Sequence, residues 1–469
     1  MPETRLRTTA NVSPFRGAVM GGRTACVVAF LALAATALAA SPARADVCRL
    51  LPEDAVALQA RVDVIQQARH EIDCAYYAAD TGRVPAAVLC LLIDAADRGV
   101  RVRLLVDGLM SRLPLGLHRT LRAHGVEIHV YRPPDRPCPG TLNRRMHDKL
   151  LIVDRQRLVM GSRNLQDSHF GLRTPSFIDC DVYIEGPTAG WAAAYFQWLW
   201  SQPHVLPLDD VNGLGRAFVR ALPLAEDEWT ERWKAARSDE DYRRLMQTAL
   251  ASLVQQSVIR LQAGRDWAAG CDPHVELEFL HESDAAKSQR SVQRRLLQLI
   301  GEAQQSLLIQ TPYPVFAQPD LQVLFDARRR GLRVVICTNS LHSTDRLMTY
   351  SAFENSKQAL LAAGVEIYET SGPNHLHNKT VIIDDCISVM GSYNFDERSA
   401  NLNMEVSVIA YDADTAMRLR RIVEAQMTGG RRVAVSPPLL EQSAAAADKA
   451  QYWKMQLGRL FVPTFRWLL

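Results

Sequence analysis

The sequence predicts an α/β fold made by tandem duplication: two α/β/α sandwich domains in one chain, related by a pseudo-two-fold axis and working as a monomer. Three observations carry this. First, His147-Asp148-Lys149, Asp154 and Gly161-Ser162-Arg163-Asn164 recur as His377-Asn378-Lys379, Asp384 and Gly391-Ser392-Tyr393-Asn394. In both copies His and Lys are two apart, Lys to Asp is five, and Asp to the Gly-Ser pair is seven. Second, strand-like and helix-like segments alternate in the same order before each copy. Third, the flanks repeat: Asp97-Arg-Gly-Val-Arg-Val matches Arg329-Arg-Gly-Leu-Arg-Val, and His124-Gly-Val-Glu-Ile matches Ala363-Gly-Val-Glu-Ile.

In the first half, residues 54–70 are patterned as a helix, and Ile72, Cys74 and Tyr76 mark a strand through Tyr77. An amphipathic helix over Val84–Arg98 stops at Gly99, a strand covers Val100–Val106, and a helix near Leu115–His124 stops at Gly125. Val126–Tyr131 is a strand, Pro133–Gly140 a loop, and a further strand from Met146 carries the first motif. The second half repeats this with strands at Ser306–Gln310, Leu332–Cys337 and Val365–Tyr368, and helices stopped by Gly331 and Gly364. The alternation predicts a largely parallel sheet in each half.

These segments divide the chain into residues 1–45, 46–202, 203–273, 274–446 and 447–469. The first is an export segment. Arg5, Arg7, Arg16 and Arg23 precede an apolar run from Ala25 to Ala40, and Ala43 and Ala45 stand where a signal peptidase would cut before Asp46. An uncleaved anchor is the alternative. Either way the expected location is the bacterial periplasm, peripheral to or anchored in the inner membrane. The 203–273 segment is a polar, helix-rich connection in which Trp229, Trp233 and Trp267 are expected to pack helices. The 447–469 tail mixes Trp, Phe and Arg; an interfacial segment and a segment docked on the core are both open.

The formal charge of the 469-residue chain is +3, but five Arg and one Glu lie in the first 45 residues, so the remainder carries −1. A near-neutral chain argues against nucleic acid as the partner. Nine cysteines include no Cys-x-x-Cys or zinc-spaced cluster; Cys74, Cys180, Cys337 and Cys386 lie in strand-like segments and are expected in the core.

Alternate residues of a strand share a face, so His147 and Lys149 point one way, as do His377 and Lys379. Two facing sets would hold a phosphodiester between two ammoniums, with one imidazole as nucleophile and the other as acid for the leaving oxygen. Such a pair needs no metal or cofactor. The catalytic set is therefore His147, Lys149, Asp154, His377, Lys379 and Asp384, in which Asp154 and Asp384 end strands at turns and take a structural part. Ser162, Asn164, Ser392 and Asn394 are candidate phosphate ligands. A nucleophilic imidazole also needs a carboxylate on its second nitrogen. Asp181 and Glu405, in matching places after the two Gly-Ser turns, are the candidates. Arg144 and Arg145 either steer an anionic headgroup or are solvated, Tyr313 is core or pocket wall, and Trp191, Tyr195, Trp198 and Trp200 are expected to pack a helix.

The duplicated His-x-Lys-x4-Asp-x6-Gly-Ser-x-Asn resembles the phospholipase D superfamily. Leu142-Asn-Arg-Arg-Met-His-Asp-Lys149, Thr311-Pro-Tyr-Pro-Val-Phe316 and Gly391-Ser-Tyr-Asn-Phe-Asp-Glu-Arg-Ser399 are similar to its bacterial cardiolipin synthase branch. The similarity runs from about Ala55 to Tyr411. It implies that one His attacks a phosphatidyl phosphate and that the group passes to the hydroxyl of phosphatidylglycerol or to water. By that resemblance His147 is nucleophile and His377 general acid, the reverse remaining open, while Lys149, Lys379, Asn164 and Asn394 bind phosphate. Phosphatidylglycerol or phosphatidylethanolamine at a membrane surface is the implied substrate. An exported nuclease and a non-catalytic lipid-binding protein are the alternatives.

Overall fold

A computed structural model of the chain describes residues 46–114, 116–134, 143–211, 227–261, 264–272, 274–282, 291–434 and 446–465. The export segment and the last four residues of the tail, read from the sequence above, lie outside them.

The first half runs β1 (Val47–Leu51), α1 (Asp54–Gln66), β2 (Glu71–Tyr76), α2 (Arg83–Asp97), β3 (Arg101–Asp107), α3 (Leu117–Ala123), β4 (Val126–Tyr131), β5 (Lys149–Val153), β6 (Arg157–Gly161), β7 (Phe177–Ile178), β8 (Asp181–Glu185), α4 (Pro187–Trp200) and β9 (Val205–Pro207). The connection holds α5 (Glu228–Ala235) and α6 (Asp239–Gln255). The second half runs β10 (Leu277–His281), α7 (Ser291–Glu302), β11 (Ser306–Gln310), α8 (Gln318–Arg329), β12 (Arg333–Asn339), α9 (Leu347–Ala362), β13 (Glu366–Thr370), β14 (His375–Leu376), β15 (Thr380–Ile383), β16 (Ile387–Gly391), α10 (Glu397–Asn401), β17 (Val406–Ala410), α11 (Ala413–Thr428) and β18 (Arg431–Arg432). A last helix, α12, spans Ala446–Phe465.

The duplication is visible in the sheets. One has the order β1-β8-β6-β5-β2-β3-β4-β9 and the other β10-β17-β16-β15-β11-β12-β13-β18, element for element the same. The expected largely parallel sheet is corrected. Within these two sheets only β2-β3-β4 and β11-β12-β13, joined through helices, are parallel among the described residues. The motif strands are hairpins, and a hairpin can only return antiparallel. Asp154 and Arg155, then Asp384 and Asp385, have φ of +50° to +56°, the paired left-handed residues that such a turn needs.

Local chemistry fixes the helices of the connection. Ser238 and Asp241 cap α6 reciprocally, and the Asp227 side chain accepts from the Thr230 N–H at the start of α5. Trp233 and Trp267 are buried as expected, donating to the Gly82 carbonyl and to Asp63. Cys74, Cys180 and Cys337 are core residues, whereas Cys386 is exposed because it lies at the β15–β16 turn.

Each half buries the outer face of its sheet in its own core. The inner faces share a third core, in which Leu150, Ile152 and Met160 cluster with Ile382, Met390 and Val408. Full burial of each such side chain is worth about 1.5–3 kcal/mol, so this shared layer presses the two motif hairpins together. Among the described residues, no helix is long and apolar enough to cross a membrane.

Candidate active site

The motif histidines sit just before their strands, in extended segments that pair across the two halves. Met146 bridges Met404 in parallel, and His147 N–H donates to the Met404 carbonyl at 2.9 Å. In the mirror position β14 pairs with β7, and His377 N–H donates to the Ile178 carbonyl at 2.9 Å. Each histidine is thus fastened to the opposite half, beside the residue that follows its partner carbonyl. Those residues are Glu405 and Asp179.

This pairing brings the carboxylates to the imidazoles crosswise. His147 Nδ1 lies 3.0 Å from Glu405 Oε2, and His377 Nδ1 lies 2.8 Å from Asp179 Oδ1. Glu405 is where the sequence reading placed a His-orienting group. Asp181 is corrected to Asp179. Gly161 is opposite Asp181 and Gly391 opposite Ser407, so the structural counterpart of Glu405 is Asp179. Asp181 is fully buried on Arg61 at 2.8 Å and Arg163 at 3.4 Å, and accepts from the Arg163 N–H. It is a structural ion-pair centre.

The sequence reading also missed His169. Its Nδ1 reaches Asp179 Oδ2 at 2.6 Å and its Nε2 reaches the Asn164 amide nitrogen at 3.2 Å. The signal was available: His169 is five residues past Asn164, and Ser399, five past Asn394, donates to Glu405 Oε1 at 2.7 Å. His169, Asp179 and His377 place donor atoms within 4.8 Å of one another, a spacing a metal ion would accept. In this structure both Nδ1 atoms are engaged on the carboxylate, a hydrogen-bonded arrangement.

Lys149 and Lys379 are buried, and each donates to the carbonyl of its own motif histidine, at 2.6 Å and 2.5 Å. Burial, against the pull of Glu405 and Asp148, lowers the Lys149 ammonium to about 8. Burial plus repulsion from Lys149 lowers Lys379 to about 7. Such a pair is short of an anion. Burial, reinforced by Lys149, Lys379, Arg346 and Arg398, holds His147 well below the ordinary histidine value and therefore neutral. Burial and Lys379 likewise lower His377, against the opposing pull of Asp179.

The supporting carboxylates differ. Burial drives Glu405 up to about 7, despite hydrogen bonds from Ser392, Ser399 and Asn403 and the Lys149 charge. Burial also pushes Asp179 upwards, but His377 and His169 overcome it and hold Asp179 well below the usual carboxylate range. Asp148, between His147 and Lys149, is raised to about 7 by burial and accepts from Tyr195 O–H at 2.7 Å. Its counterpart Asn378 donates to Gln310 instead.

The remaining candidates divide cleanly. Asn164 and Asn394 each keep a buried Oδ1 without a protein partner, consistent with a ligand-facing amide. Ser162 is spent on the fold, its hydroxyl accepting from the Cys180 N–H and donating to the Cys180 carbonyl of the strand segment beside it, whereas the Ser392 hydroxyl accepts from the Val406 N–H and donates to Glu405 Oε2 at 2.5 Å, supporting the His-orienting carboxylate. A Cβ at Gly161 or Gly391 would collide with that same strand, so the close approach requires glycine. Asp154 and Asp384 are not among the reacting groups. Asp154 accepts from the N–H groups of residues 69–71 and Asp384 from those of residues 304–306, which pins the hairpin turns to the starts of β2 and β11. Arg145 is not solvated; it is buried on Asp107 and the Arg132 carbonyl. Tyr77 stands edge-on to His147 at 4.6 Å and under Lys149 at 4.9 Å, and Tyr313 is a buried wall residue donating to Asp345. Tyr195 and Trp198 stack on α4, and Trp200 stacks on His129, but Trp191 faces solvent.

Comparison with known proteins identifies the family of the chain. Residues 62–200 and 296–427 match the family described as cardiolipin synthase, phospholipase D-like domain, one match per half. Cardiolipin synthase C of Escherichia coli is 28% identical over 81% of this chain and 85% of its own length. Cardiolipin synthase A of Pseudomonas fluorescens is 26% identical over 80% of this chain and 65% of its own. The crystal structure of phosphatidylserine synthase from Haemophilus influenzae superposes with a TM-score of 0.65 over 90% of this chain and 95% of that one, at 14% identity, a likeness of fold. With both halves matched and two complete motifs on one shared core, the chain belongs to the phospholipase D-like family of the cardiolipin synthases.

Proposed function

We propose that this enzyme transfers a phosphatidyl group from a phospholipid to an alcohol, with phosphatidylglycerol or water as acceptor, through a phosphohistidine. The observation that supports it is the crosswise pairing: each motif imidazole has Nδ1 on a buried carboxylate, leaving Nε2 as the attacking or protonating atom.

The phosphate would lie between Lys149 and Lys379, whose lowered values an anion restores. The neutral His147 attacks phosphorus through Nε2 and the ester P–O bond breaks. The departing oxygen takes its electron pair and a proton from His377 Nε2. The incoming hydroxyl then gives its proton back to His377 and bonds phosphorus, and the P–N bond breaks with its pair returning to His147. Burial and nearby lysine charge lower both histidines, but at His377 the ionised Asp179 opposes that lowering, whereas at His147 the neighbouring Lys149, Lys379, Arg346 and Arg398 all add to it, so His377 is assigned the acid role. The donor is phosphatidylglycerol or phosphatidylethanolamine, the site of action the periplasmic side of the inner membrane, and both motifs in one chain make a monomer sufficient.

The test is purified protein with labelled phosphatidylglycerol, with and without phosphatidylethanolamine or added alcohol, and separately with plasmid DNA. Lipid-headgroup exchange lost in both His147→Ala and His377→Ala is the expected result. DNA cleavage without lipid turnover would replace this reading with a nuclease, and no turnover of either would leave a binding protein.

A further inference from the structure

We propose that α12 docks the protein flat on an anionic phospholipid bilayer, with its outward face in the lipid interface. The large apolar side chains exposed on this helix form one stripe: Trp453 (62% exposed), Leu457 (57%), Leu460 (75%) and Phe461 (59%). Their spacing of four, seven and eight residues from the first confines them to about 100° of arc. The opposite face is already used. Met455 and Val462 are buried, Val462 against Val315 and Ala352, and a Cβ at Gly458 would meet the Ser351 hydroxyl of α9 at 2.7 Å. Gln451 donates to the Leu341 carbonyl and Arg459 to Asn355, which fixes the helix along α9. The two readings left open for the tail are therefore compatible, one on each face.

Charge and position select the occupant. From Ala450 to Leu469 the chain contains Lys454, Arg459 and Arg466 and no acidic residue, which suits an anionic surface. Exposed Lys454 borders the stripe, where its stem lies along apolar surface and its charge reaches headgroups, while Arg459 is held on Asn355 and Gln456 and adds positive charge to the same helix. The packed face of the helix, not the stripe, leads towards the catalytic pocket through α9. Exposed Met348 of α9 lies beside Gly458, and Arg346, which precedes α9, stacks over the Tyr313 ring at 5.6 Å and adds to the charge that depresses His147. The choice of lipid as occupant rests on the proposed phospholipid chemistry.

The chain from Asp46, which carries both sheets and every described helix, tests this in sedimentation with vesicles of equal parts phosphatidylglycerol and phosphatidylcholine. The double variant Leu457→Glu/Leu460→Glu changes two solvent-facing positions, and its unchanged melting profile verifies the fold. The expected result is a vesicle affinity lowered roughly 100-fold, with the native chain also binding less to pure phosphatidylcholine. Turnover of short-chain phosphatidylglycerol, dispersed below its micellar threshold, is expected to be equal in both proteins. Absence of that turnover in the native chain would overturn the catalytic reading, while vesicle binding lost in the variant would still support docking. Equal vesicle affinity of the two proteins, or no binding by either, overturns docking. So does a lipid-free dimer that the variant converts to monomer, which would make a second copy the occupant.

Discussion

Five residues past the motif asparagine stands His169 in the first half and Ser399 in the second. Both side chains hold the carboxylate that orients the histidine of the other half, at 2.6 Å and 2.7 Å. The geometry is nearly symmetric and the electrostatics are not. Asp179, gripped by two imidazoles, stays ionised, whereas Glu405, gripped by hydroxyls and an amide, is raised to about 7 by burial. A duplicated scaffold has thus kept one constellation with unlike carboxylates, and the proposed mechanism assigns the proton transfer to the histidine beside the ionised one. The difference lies in side chains outside the repeated motif.

The largest expected effect erases both sides of the comparison at once. His147→Asn or His377→Asn should lower kcat on natural lipid by about 10³–10⁴-fold, measured by headgroup release. Asp181→Asn should separate structure from chemistry. It leaves buried Arg61 and Arg163 without their shared carboxylate and should cost about 3 kcal/mol in denaturant unfolding, with KM little changed in the protein that remains folded. Asp179→Asn should reduce kcat by about 100-fold and Glu405→Gln by about tenfold, since only Asp179 is firmly ionised beside its histidine. Equal losses would erase the proposed asymmetry.

Smaller effects sharpen it. Binding of an unreactive phosphodiester should weaken as pH rises from 7 to 9, because Lys379 near 7 and Lys149 near 8 lose their protons and with them their attraction for the anion. Calorimetric titration in native and Lys379→Met proteins checks the sign, and the variant should lose the lower of the two transitions. His169→Ser copies the second half into the first. It should lower kcat only a few-fold while moving the acid limb of the pH–rate profile, with KM unchanged; a purely structural role would move melting temperature without moving that limb.

Much of this was legible in the chain. The repeat, the element order and the motif histidines and lysines follow from spacing, and Glu405 from its place after the second turn. What was hidden depended on strand register. Asp179 and Asp181 are two residues apart and share a face in any extended segment, so only the pairing of Gly161 with Asp181 shows which one reaches across. The sheet direction was missed because short hairpin turns, carried here by consecutive Asp-Arg and Asp-Asp residues at positive φ, lack the usual Asn-Gly signature. Ser162, Ser392 and Arg145 looked like ligands by residue type, yet their polar groups answer buried backbone and carboxylate needs that sequence does not display.

The central claim is that His147 attacks and His377 transfers the proton. A phosphatidyl ester with an acidic leaving alcohol, which departs without protonation, isolates the first step. After rapid quenching and peptide mass spectrometry, His377→Asn protein should carry the phosphatidyl adduct on His147, and His147→Asn protein should carry none. An adduct on His377 in the His147→Asn protein would contradict the account.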